Sequence, residues 1–324
     1  MNTRCPVCGN ADTVPRIVEA ADRFFQTTRL TFSLRACAGC RCLFLDPLPE
    51  RQDLERFYPA AYWAVDGRPN PLRYFESLYR RVVLRDHVGC VTRAAAGLSP
   101  AGGSPRLLDV GCGSGLLLSV LKSRGFDVRG FDSSREARAV AKHLHGVDVV
   151  VGESVAKAGF AADEFDVVTL FHVLEHVSDP REVLSEVRRI LQPQGRVLVQ
   201  VPNIESWQSR LFGGRWYGLD VPRHVVNYSH YAIRKLLGSA GFRIRRTRHF
   251  NLRDNAAAVA SSLCPSLDPV SRRVRNARHS GESTAMAWIK HAAYAGVLVA
   301  AYPLILAESL FNSGGTVTLE AEKA

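Results

Sequence analysis

The chain has 324 residues, of which 46% are hydrophobic and 23% are charged, so its composition excludes a disordered or fibrous protein. The formal net charge is +11, mostly from arginine. This excess fits a GC-rich genome that favours arginine, or an anionic partner such as nucleic acid, a nucleotide-linked substrate or anionic lipid. The first residues lack the apolar segment of a secretory signal. We therefore expect a cytoplasmic protein with reduced cysteines, with membrane association left open.

Two CxxC pairs lie near the start of the chain, Cys5 with Cys8 and Cys37 with Cys40. Each pair presents two thiolates from one turn, and together they complete the four-sulfur tetrahedron that zinc favours. A unit this small buries little apolar area, so the metal would supply much of its folding energy. The sequence predicts a zinc ribbon, with Cys42 as a spare thiol; unmetallated cysteines or a redox pair are the alternatives.

The segment after the ribbon mixes helix formers with aromatic residues and predicts one or two connecting helices. A stretch rich in Gly, Ser and Pro at 97–105 then indicates a linker. The aromatic side chains are expected either to cover a substrate or to pack within the protein. They are Tyr58, Tyr62, Trp63 and Tyr74.

From residue 105 onward, short apolar segments alternate with helical ones. This alternation predicts a doubly wound α/β domain, a parallel sheet covered by helices on both faces. Such sheets bind ligands at the C-terminal ends of their strands. We predict strands at 107–110, 126–131, 147–151, 165–171 and 195–201, and helices at 116–122, 134–145 and 180–191.

The first of these strands leads into a glycine-rich turn, LLDVGCGSG at 107–115. Its three glycines allow a tight turn and the close approach of a ligand to the backbone. Leu116 stands where a dinucleotide-binding fingerprint has its last glycine. Asp109, two residues before the first glycine, would attract a cationic amino-acid group and repel a diphosphate. Both features favour S-adenosylmethionine over a dinucleotide.

Over about residues 105–250 the sequence resembles the class I S-adenosylmethionine-dependent methyltransferases, which implies a seven-stranded Rossmann-like sheet. The resemblance assigns the ribose hydroxyls to the acid that ends the second strand, since a carboxylate accepts two hydroxyl hydrogens. It assigns adenine contacts to 152–154, and 192–195 matches the turn before the fifth strand. The implied cofactor-binding residues are Asp109, Gly111, Cys112, Gly113, Gly115, Asp132, Ser133, Glu153, Ser154, Phe171 and His172.

Methyl transfer requires the acceptor to lie in line with the sulfonium methyl and, for a hydroxyl or carbon acid, to lose a proton. In related enzymes the segments corresponding to 172–180 and 221–224 face that methyl. His176 and His224 are the predicted bases, because a neutral imidazole takes up a proton near pH 7. A purely structural histidine is the alternative for each. Predicted substrate contacts are Trp216, Tyr217 and, for an anionic group, Arg223.

His172, Glu175 and His176 have the i, i+3, i+4 spacing that places side chains on one helical face, and His224 follows 48 residues after His176. The pattern resembles the metal site of small-RNA 2′-O-methyltransferases and of ubiquinone-pathway O-methyltransferases, which have Glu in place of His172. Histidine and glutamate suit a divalent ion. An active-site metal is therefore an alternative to metal-free catalysis.

Residues 229–240 predict a helix, 242–249 a sixth strand and 314–324 a seventh. The family joins these last strands by a short hairpin, whereas here an insert with several arginines and an uncharged run at 292–307 intervenes. Sixteen helical residues extend about 24 Å, less than a bilayer core of about 30 Å, and Pro303 interrupts the run. The insert is thus expected to pack against the domain or a partner subunit, or to contact a membrane surface through 272–307.

We therefore expect a zinc-ribbon-like module at 1–50, a helical connector and linker at 51–104, the cofactor-binding core at 105–250, a helical insert at 251–313 and the last core strand at 314–324. By resemblance, this combination predicts methylation of a small molecule, a sugar, glycolipid or natural-product moiety, at oxygen or carbon. Sugar C-methyltransferases carry a further C-terminal domain that this chain lacks, which disfavours a C-methylated sugar. An RNA methyltransferase and a non-catalytic scaffold are the alternatives.

Overall fold

The computed structural model describes residues 4–59, 84–98, 103–276 and 283–324. Their strands form a four-stranded sheet in the order β1-β2-β3-β9 and a seven-stranded sheet in the order β10-β11-β8-β7-β4-β5-β6. The strands are β1 Thr13–Ala21, β2 Thr31–Cys37, β3 Leu43–Asp46, β4 Arg106–Val110, β5 Asp127–Asp132, β6 Val149–Val151, β7 Phe165–Phe171, β8 Leu191–Pro202, β9 Val226–Asn227, β10 Phe242–Arg248 and β11 Thr316–Lys323.

The described helices are numbered here in chain order. They are α1 Arg51–Glu55, α2 Arg85–Ala95, α3 Leu116–Lys122, α4 Arg135–His145, α5 Pro180–Ile190, α6 Trp207–Phe212, α7 His230–Ser239, α8 Asp254–Leu263, α9 Pro269–Asn276 and α10 Thr284–Leu310. Ser134 and Asp179 cap α4 and α5 by accepting backbone N–H bonds from the first turn.

The seven-stranded sheet confirms the predicted fold class. Strands β4 to β8 run parallel, and β11 pairs antiparallel with both β8 and β10. Strand β7 is buried along nearly its whole length because helices cover both faces of a parallel sheet, which explains its continuous apolar sequence. The chain reverses direction across the sheet between β4 and β7, and sheets of this kind bind ligands at such a switch point, beside the C-terminal ends of the strands.

The N-terminal module shares its hydrophobic core with the large sheet. Strand β3 pairs with β9, which comes from the chain between α6 and α7. The Ser229 hydroxyl also donates to the Cys40 carbonyl at 2.8 Å. One continuous apolar cluster includes the cysteines, the inner residues of β3 and the side chains of β7 and β8. The module therefore packs as part of the same hydrophobic core rather than as a separate unit.

The segment between β10 and β11 contains α8, α9 and α10. Helix α10 has 27 residues, about 40 Å, and continues through Pro303, so the prediction that this proline interrupts a short helix is wrong. Because Pro303 has no backbone N–H, the Val299 carbonyl loses its helical hydrogen-bond partner. Both residues are exposed, so water can satisfy that carbonyl. By length and composition alone Ala285–Leu310 could cross a membrane, and 28% of its most apolar window is buried.

Candidate active site

The glycine turn after β4 lies at the switch point. Gly111, Gly113 and Gly115 all have positive φ angles, 72°, 52° and 72°, which side chains other than glycine rarely adopt. A Cβ atom on Gly111 would lie 2.7 Å from the Val173 side chain. The Gly113 amide donates to an oxygen of Asp132 at 2.9 Å. The loop therefore presents bare backbone to any ligand above it.

Two buried carboxylates flank this turn. Asp109, at the end of β4, accepts a hydrogen bond from the Thr169 hydroxyl at 2.6 Å. Burial nevertheless raises the pKa of Asp109 to about 7. Asp132, at the end of β5, accepts from the Gly113 and Ser134 amides at 2.9 Å, and burial raises its pKa as well. A cationic ligand group beside Asp109 would relieve the cost of its charge.

The other predicted cofactor residues lie at or just after the C-terminal ends of β4, β5, β6 and β7, as the parallel sheet requires. Ser133 is exposed, while Cys112 is buried against Gly130. The hydroxyl of Ser154 is buried without a hydrogen-bond partner in the described structure. Glu153 is different because its side chain is 72% exposed and pairs with Lys157 at 2.5 Å. Their contacts to a cofactor stay predictions.

The short 3-10 turn Leu174–His176 follows β7 and brings together the second set of predicted residues. One donor atom each from Glu175, His176 and His224 lies within 4.8 Å of the others, and the two imidazole centroids are 4.7 Å apart. Glu175 is fully buried, and its Oε2 has no hydrogen-bond partner in the described structure. Two histidines from distant segments thus meet beside a buried carboxylate.

Backbone carbonyls orient both rings. The Arg223 carbonyl lies 2.9 Å from His176 Nδ1, and the Gly218 carbonyl lies 2.8 Å from His224 Nδ1. A carbonyl only accepts, so each Nδ1 carries a hydrogen, and in the neutral ring the lone pair lies on Nε2. Burial, then the neighbouring His224, lowers the pKa of His176 to about 4, so His176 is neutral at pH 7.

His172 is oriented differently from these two rings. Its imidazole lies between Glu175, 3.0 Å from Nδ1, and Asp254, 3.3 Å from Nε2. Burial opposes a charge on this ring, but the two carboxylates outweigh burial and raise its pKa to about 10. The two carboxylates thus favour the protonated form of His172, while the Gln200 amide nitrogen lies 2.8 Å from the same Nε2.

Two of the three predicted substrate contacts, Arg223 and Trp216, are buried instead. The guanidinium of Arg223 is 1% exposed and binds Asp22 at 2.7 Å and Asp220 at 2.6 Å, so its predicted pairing with substrate is wrong. Trp216 is also buried and forms no exposed wall, whereas Tyr217 packs edge-on against Phe24. Arg223 joins the N-terminal module to the core.

Of the four aromatic residues predicted to cover a substrate or pack, the structure describes Tyr58. Its hydroxyl oxygen lies 2.7 Å from His176 Nδ1 and shares that ring hydrogen with the Arg223 carbonyl. Tyr62, Trp63 and Tyr74 lie outside the described residues. The connector therefore contributes at least one side chain to the edge of the histidine cluster.

The four predicted zinc ligands converge in the N-terminal module. The sulfurs of Cys5, Cys8, Cys37 and Cys40 lie within 4.8 Å of one another. The Cys5–Cys40 and Cys8–Cys37 separations are each 3.5 Å, near the edge of about 3.8 Å that Zn–S bonds of about 2.3 Å require. Hydrogen bonds from the Cys40 and Cys42 thiols lower the pKa of Cys5. Thiolate character at this point fits a divalent metal.

Cys42 is close to this cluster as well. Its sulfur lies 3.4 Å from Cys5 and 3.3 Å from Cys40, and the side chain is fully buried. The CxxC spacing cannot reveal this contact, because Cys42 reaches the cluster through the turn into β3. Five thiols therefore lie together where the sequence predicted four ligands.

Comparison with known proteins decides the family. A family model described as a methyltransferase domain matches residues 90–247. A ubiquinone biosynthesis O-methyltransferase of Pectobacterium atrosepticum is 30% identical over 187 residues, which cover 55% of this chain and 72% of that protein. The chain belongs to the class I S-adenosylmethionine-dependent methyltransferases. It is an enzyme of this family, and S-adenosylmethionine is its cofactor.

Two further matches are also to methyltransferases. The corresponding enzyme of Paraburkholderia phymatum is 34% identical over 134 residues, or 39% of this chain and 57% of that one. A solved methyltransferase structure from Archaeoglobus fulgidus is 17% identical, covers 78% of this chain and all of that one, and has a TM-score of 0.49.

Sequence reasoning missed several side chains that complete this methyltransferase site. Asp254, Gln200 and Asp22 all contact residues that were predicted, yet each is far away in sequence from its partner. No local motif marks them. Asp254 lies at the start of α8, but an acidic residue is common at any helix N-terminus and by itself marks no site.

Proposed function

We propose that this methyltransferase transfers a methyl group from S-adenosylmethionine to a hydroxyl oxygen of a small molecule. The acceptor class is a sugar, glycolipid or natural-product moiety, or a hydroxylated ubiquinone precursor like those implied by the names of its relatives. The observation that carries the proposal is the cluster of Glu175, His176 and His224 beside the glycine turn.

The roles of these groups follow from their hydrogen bonds. His224 and His176 each keep an Nε2 lone pair, and one of them would take the acceptor's proton as the oxygen attacks the methyl. Glu175 would stabilise the resulting imidazolium, since one of its carboxylate oxygens lies within 4.8 Å of a ring nitrogen of each histidine. The glycine turn would hold the cofactor's amino-acid part against Asp109, and Asp132 would hold the ribose.

The same donor set also fits a divalent cation. Two imidazole nitrogens with their Nδ1 hydrogens held by carbonyls, together with a buried carboxylate oxygen, are typical ligands for such an ion. When bound, the ion would favour the ionised form of an acceptor hydroxyl. His176 and His224 would then bind metal rather than accept the proton.

For the N-terminal module we propose one structural zinc ion, held by Cys5, Cys8, Cys37 and Cys40. Support comes from the sulfur separations and the low pKa of Cys5. Cys42 is proposed as a buried neighbour rather than a ligand, because the two CxxC pairs already supply four thiolates.

The test of the proposed activity is turnover with hydroxylated aromatic and sugar acceptors, measured as S-adenosylhomocysteine release and methylated product by mass spectrometry. His224→Ala and His176→Ala should each lower kcat by about 10²- to 10⁴-fold, the range for loss of a general base. S-adenosylhomocysteine affinity, measured by calorimetry, should stay within about twofold because neither ring is assigned to the cofactor.

The control is His143→Ala, since His143 is an exposed residue in the last turn of α4. It should leave turnover unchanged. Metal content and chelator sensitivity of the wild type separate the two chemistries: activity lost with EDTA and regained with a divalent ion favours a metal centre. Full turnover by both cluster variants would refute both roles.

A further inference from the structure

The insert between β10 and β11 contacts the candidate active site through Asp254. Asp254 is the first residue of α8, and one of its oxygens lies 3.3 Å from His172 Nε2. That oxygen also accepts from Gln200 Nε2 at 2.6 Å, and the same amide nitrogen lies 2.8 Å from His172 Nε2, so Asp254 contacts the ring both directly and through Gln200. The other carboxylate oxygen accepts from Arg253 at 2.6 Å. Contacts to both oxygens thus fix the position of the Asp254 carboxylate.

His172 has a backbone conformation that needs such support. Its φ angle is 58°, in the left-handed region that residues other than glycine seldom adopt. Its amide donates to the Gln200 carbonyl on β8 at 2.9 Å. This conformation, at the end of β7, directs the ring between Asp254 and Glu175.

Glu175 is the next residue in the line of contacts that runs from Asp254 through His172. One of its oxygens is held by His172 Nδ1 at 3.0 Å, and the other is buried without a hydrogen-bond partner in the described structure. A carboxylate oxygen of Glu175 lies within 4.8 Å of a ring nitrogen of His176 and of His224. Rotation of Glu175 would bury an uncompensated charge away from His172, so the contact with His172 determines where the free oxygen points. The order of contacts is Asp254, His172, Glu175 and then the two histidines.

The insert is firmly attached at this point. The Asn255 side chain accepts from the Thr316 amide at 3.0 Å and donates to the His249 carbonyl at 2.9 Å. Asn255 thereby joins the start of α8 to the end of β10 and the start of β11. Asp254, the neighbouring residue, therefore lies where α8 is hydrogen-bonded to the sheet.

We propose that Asp254 is a positioning residue of this methyltransferase, which orients Glu175 toward His176 and His224 by holding His172. The insert is then part of the active-site framework and not only a surface addition. The inference rests on the proposed function for its effect on turnover, but its structural part concerns the unliganded protein.

The variants are Asp254→Asn, which keeps the shape and removes the charge, and Asp254→Glu, which keeps the charge. Asp268→Asn is the matched control, because Asp268 is a buried carboxylate of the same insert that binds Ser261 and Ser271 instead. Full-length zinc-loaded protein is used throughout, and thermal unfolding reports whether each variant is folded at the assay temperature.

Asp254→Asn should lower kcat by about 10- to 100-fold, the usual effect of a residue that supports a ligand or base from behind. The KM for S-adenosylmethionine should change less than about threefold. Asp254→Glu should regain most of the lost kcat, and Asp268→Asn should keep kcat even if it unfolds at a lower temperature. Equal kcat in Asp254→Asn and Asp268→Asn would overturn the proposal.

A second measurement does not depend on the acceptor. Side-chain NMR of histidine-labelled, unliganded protein should show that Asp254→Asn moves the ring signals of His172, His176 and His224, while Asp268→Asn leaves them in place. Unmoved His176 and His224 signals in Asp254→Asn would refute the positioning role even if no acceptor had been found. Moved signals with an inactive wild type would instead refute only the proposed activity.

Discussion

Asp109 shows how burial prepares a single side chain for a ligand. Its carboxylate is 5% exposed, has one hydrogen bond from Thr169, and has a pKa raised to about 7 by burial. A buried carboxylate with so few donors gains most from a cation. Asp109 is the residue that we expect to receive the cofactor's amino group, and this role has a pH signature.

We expect S-adenosylmethionine affinity to fall as the pH drops below about 7. The ionised form of Asp109 binds the ammonium, so protonation of the free enzyme competes with the cofactor, by up to about tenfold per pH unit. Above pH 7 this effect is complete and affinity should level off. Calorimetric titration from pH 5 to 8 measures it.

The control for this pH dependence is Asp109→Asn. It should bind weakly and with little pH dependence, because the amide keeps the shape but not the titrating charge. A wild-type affinity that stays constant between pH 5 and 8 would contradict the assignment of Asp109 to the ammonium group.

At the scale of elements, α10 has two unlike faces. Tyr294, Ala301 and Ile305 are buried, and the last two pack with Ala256 and Val259 of α8. The opposite face carries exposed apolar residues, including Val299 at 67% and Leu306 at 52%. Because the run at 292–307 is uncharged, the sequence does not indicate which face of this helix is buried. Only the packing distinguishes the buried face from the exposed one.

The adjacent pair Ile305 and Leu306 provides a direct test of this orientation. Ile305→Ala should lower the free energy of unfolding by about 2–5 kcal/mol, because it leaves a cavity between α10 and α8. Leu306→Ala should change it by less than about 0.5 kcal/mol, since that side chain faces outward. Urea unfolding monitored by circular dichroism measures both. Equal effects would mean that α10 does not pack as described.

At the scale of the whole molecule, the N-terminal module and the methyltransferase core form one structure. Strand β9 pairs with β3, and Arg223 is buried between Asp22 of the module and Asp220 of the core. Removing one partner from such a buried pair is costly because the remaining charge is uncompensated. Loss of order in the module should therefore reach the candidate active site.

Removal of the proposed zinc ion should consequently lower the melting temperature of the entire chain in one transition. Cys8→Ser should lose zinc and melt lower, because it deletes one of four thiolate ligands. Cys42→Ser is the matched control and should retain about one zinc per chain, since Cys42 contacts the cluster without belonging to a CxxC pair. Metal analysis with calorimetric melting makes the comparison. If Cys42→Ser lost zinc and Cys8→Ser did not, Cys42 rather than Cys8 would be the fourth zinc ligand.

The sequence by itself determined the features that depend on short spacing. The glycine turn, the carboxylates at the ends of β4 and β5, the alternation of strands with helices and the two CxxC pairs are all local patterns. Backbone conformation and donor spacing constrain such patterns within a few residues. For this reason the fold class and the cofactor family were predictable without a structure.

Only the tertiary structure decided which distant groups meet. Arg223 pairs with Asp22 instead of a substrate, His172 lies between Glu175 and Asp254, and Pro303 is accommodated within a long helix. Each outcome depends on burial and on partners far away in the chain. A charge in the interior must find a counter-charge wherever the fold supplies one, and no local pattern specifies where that will be.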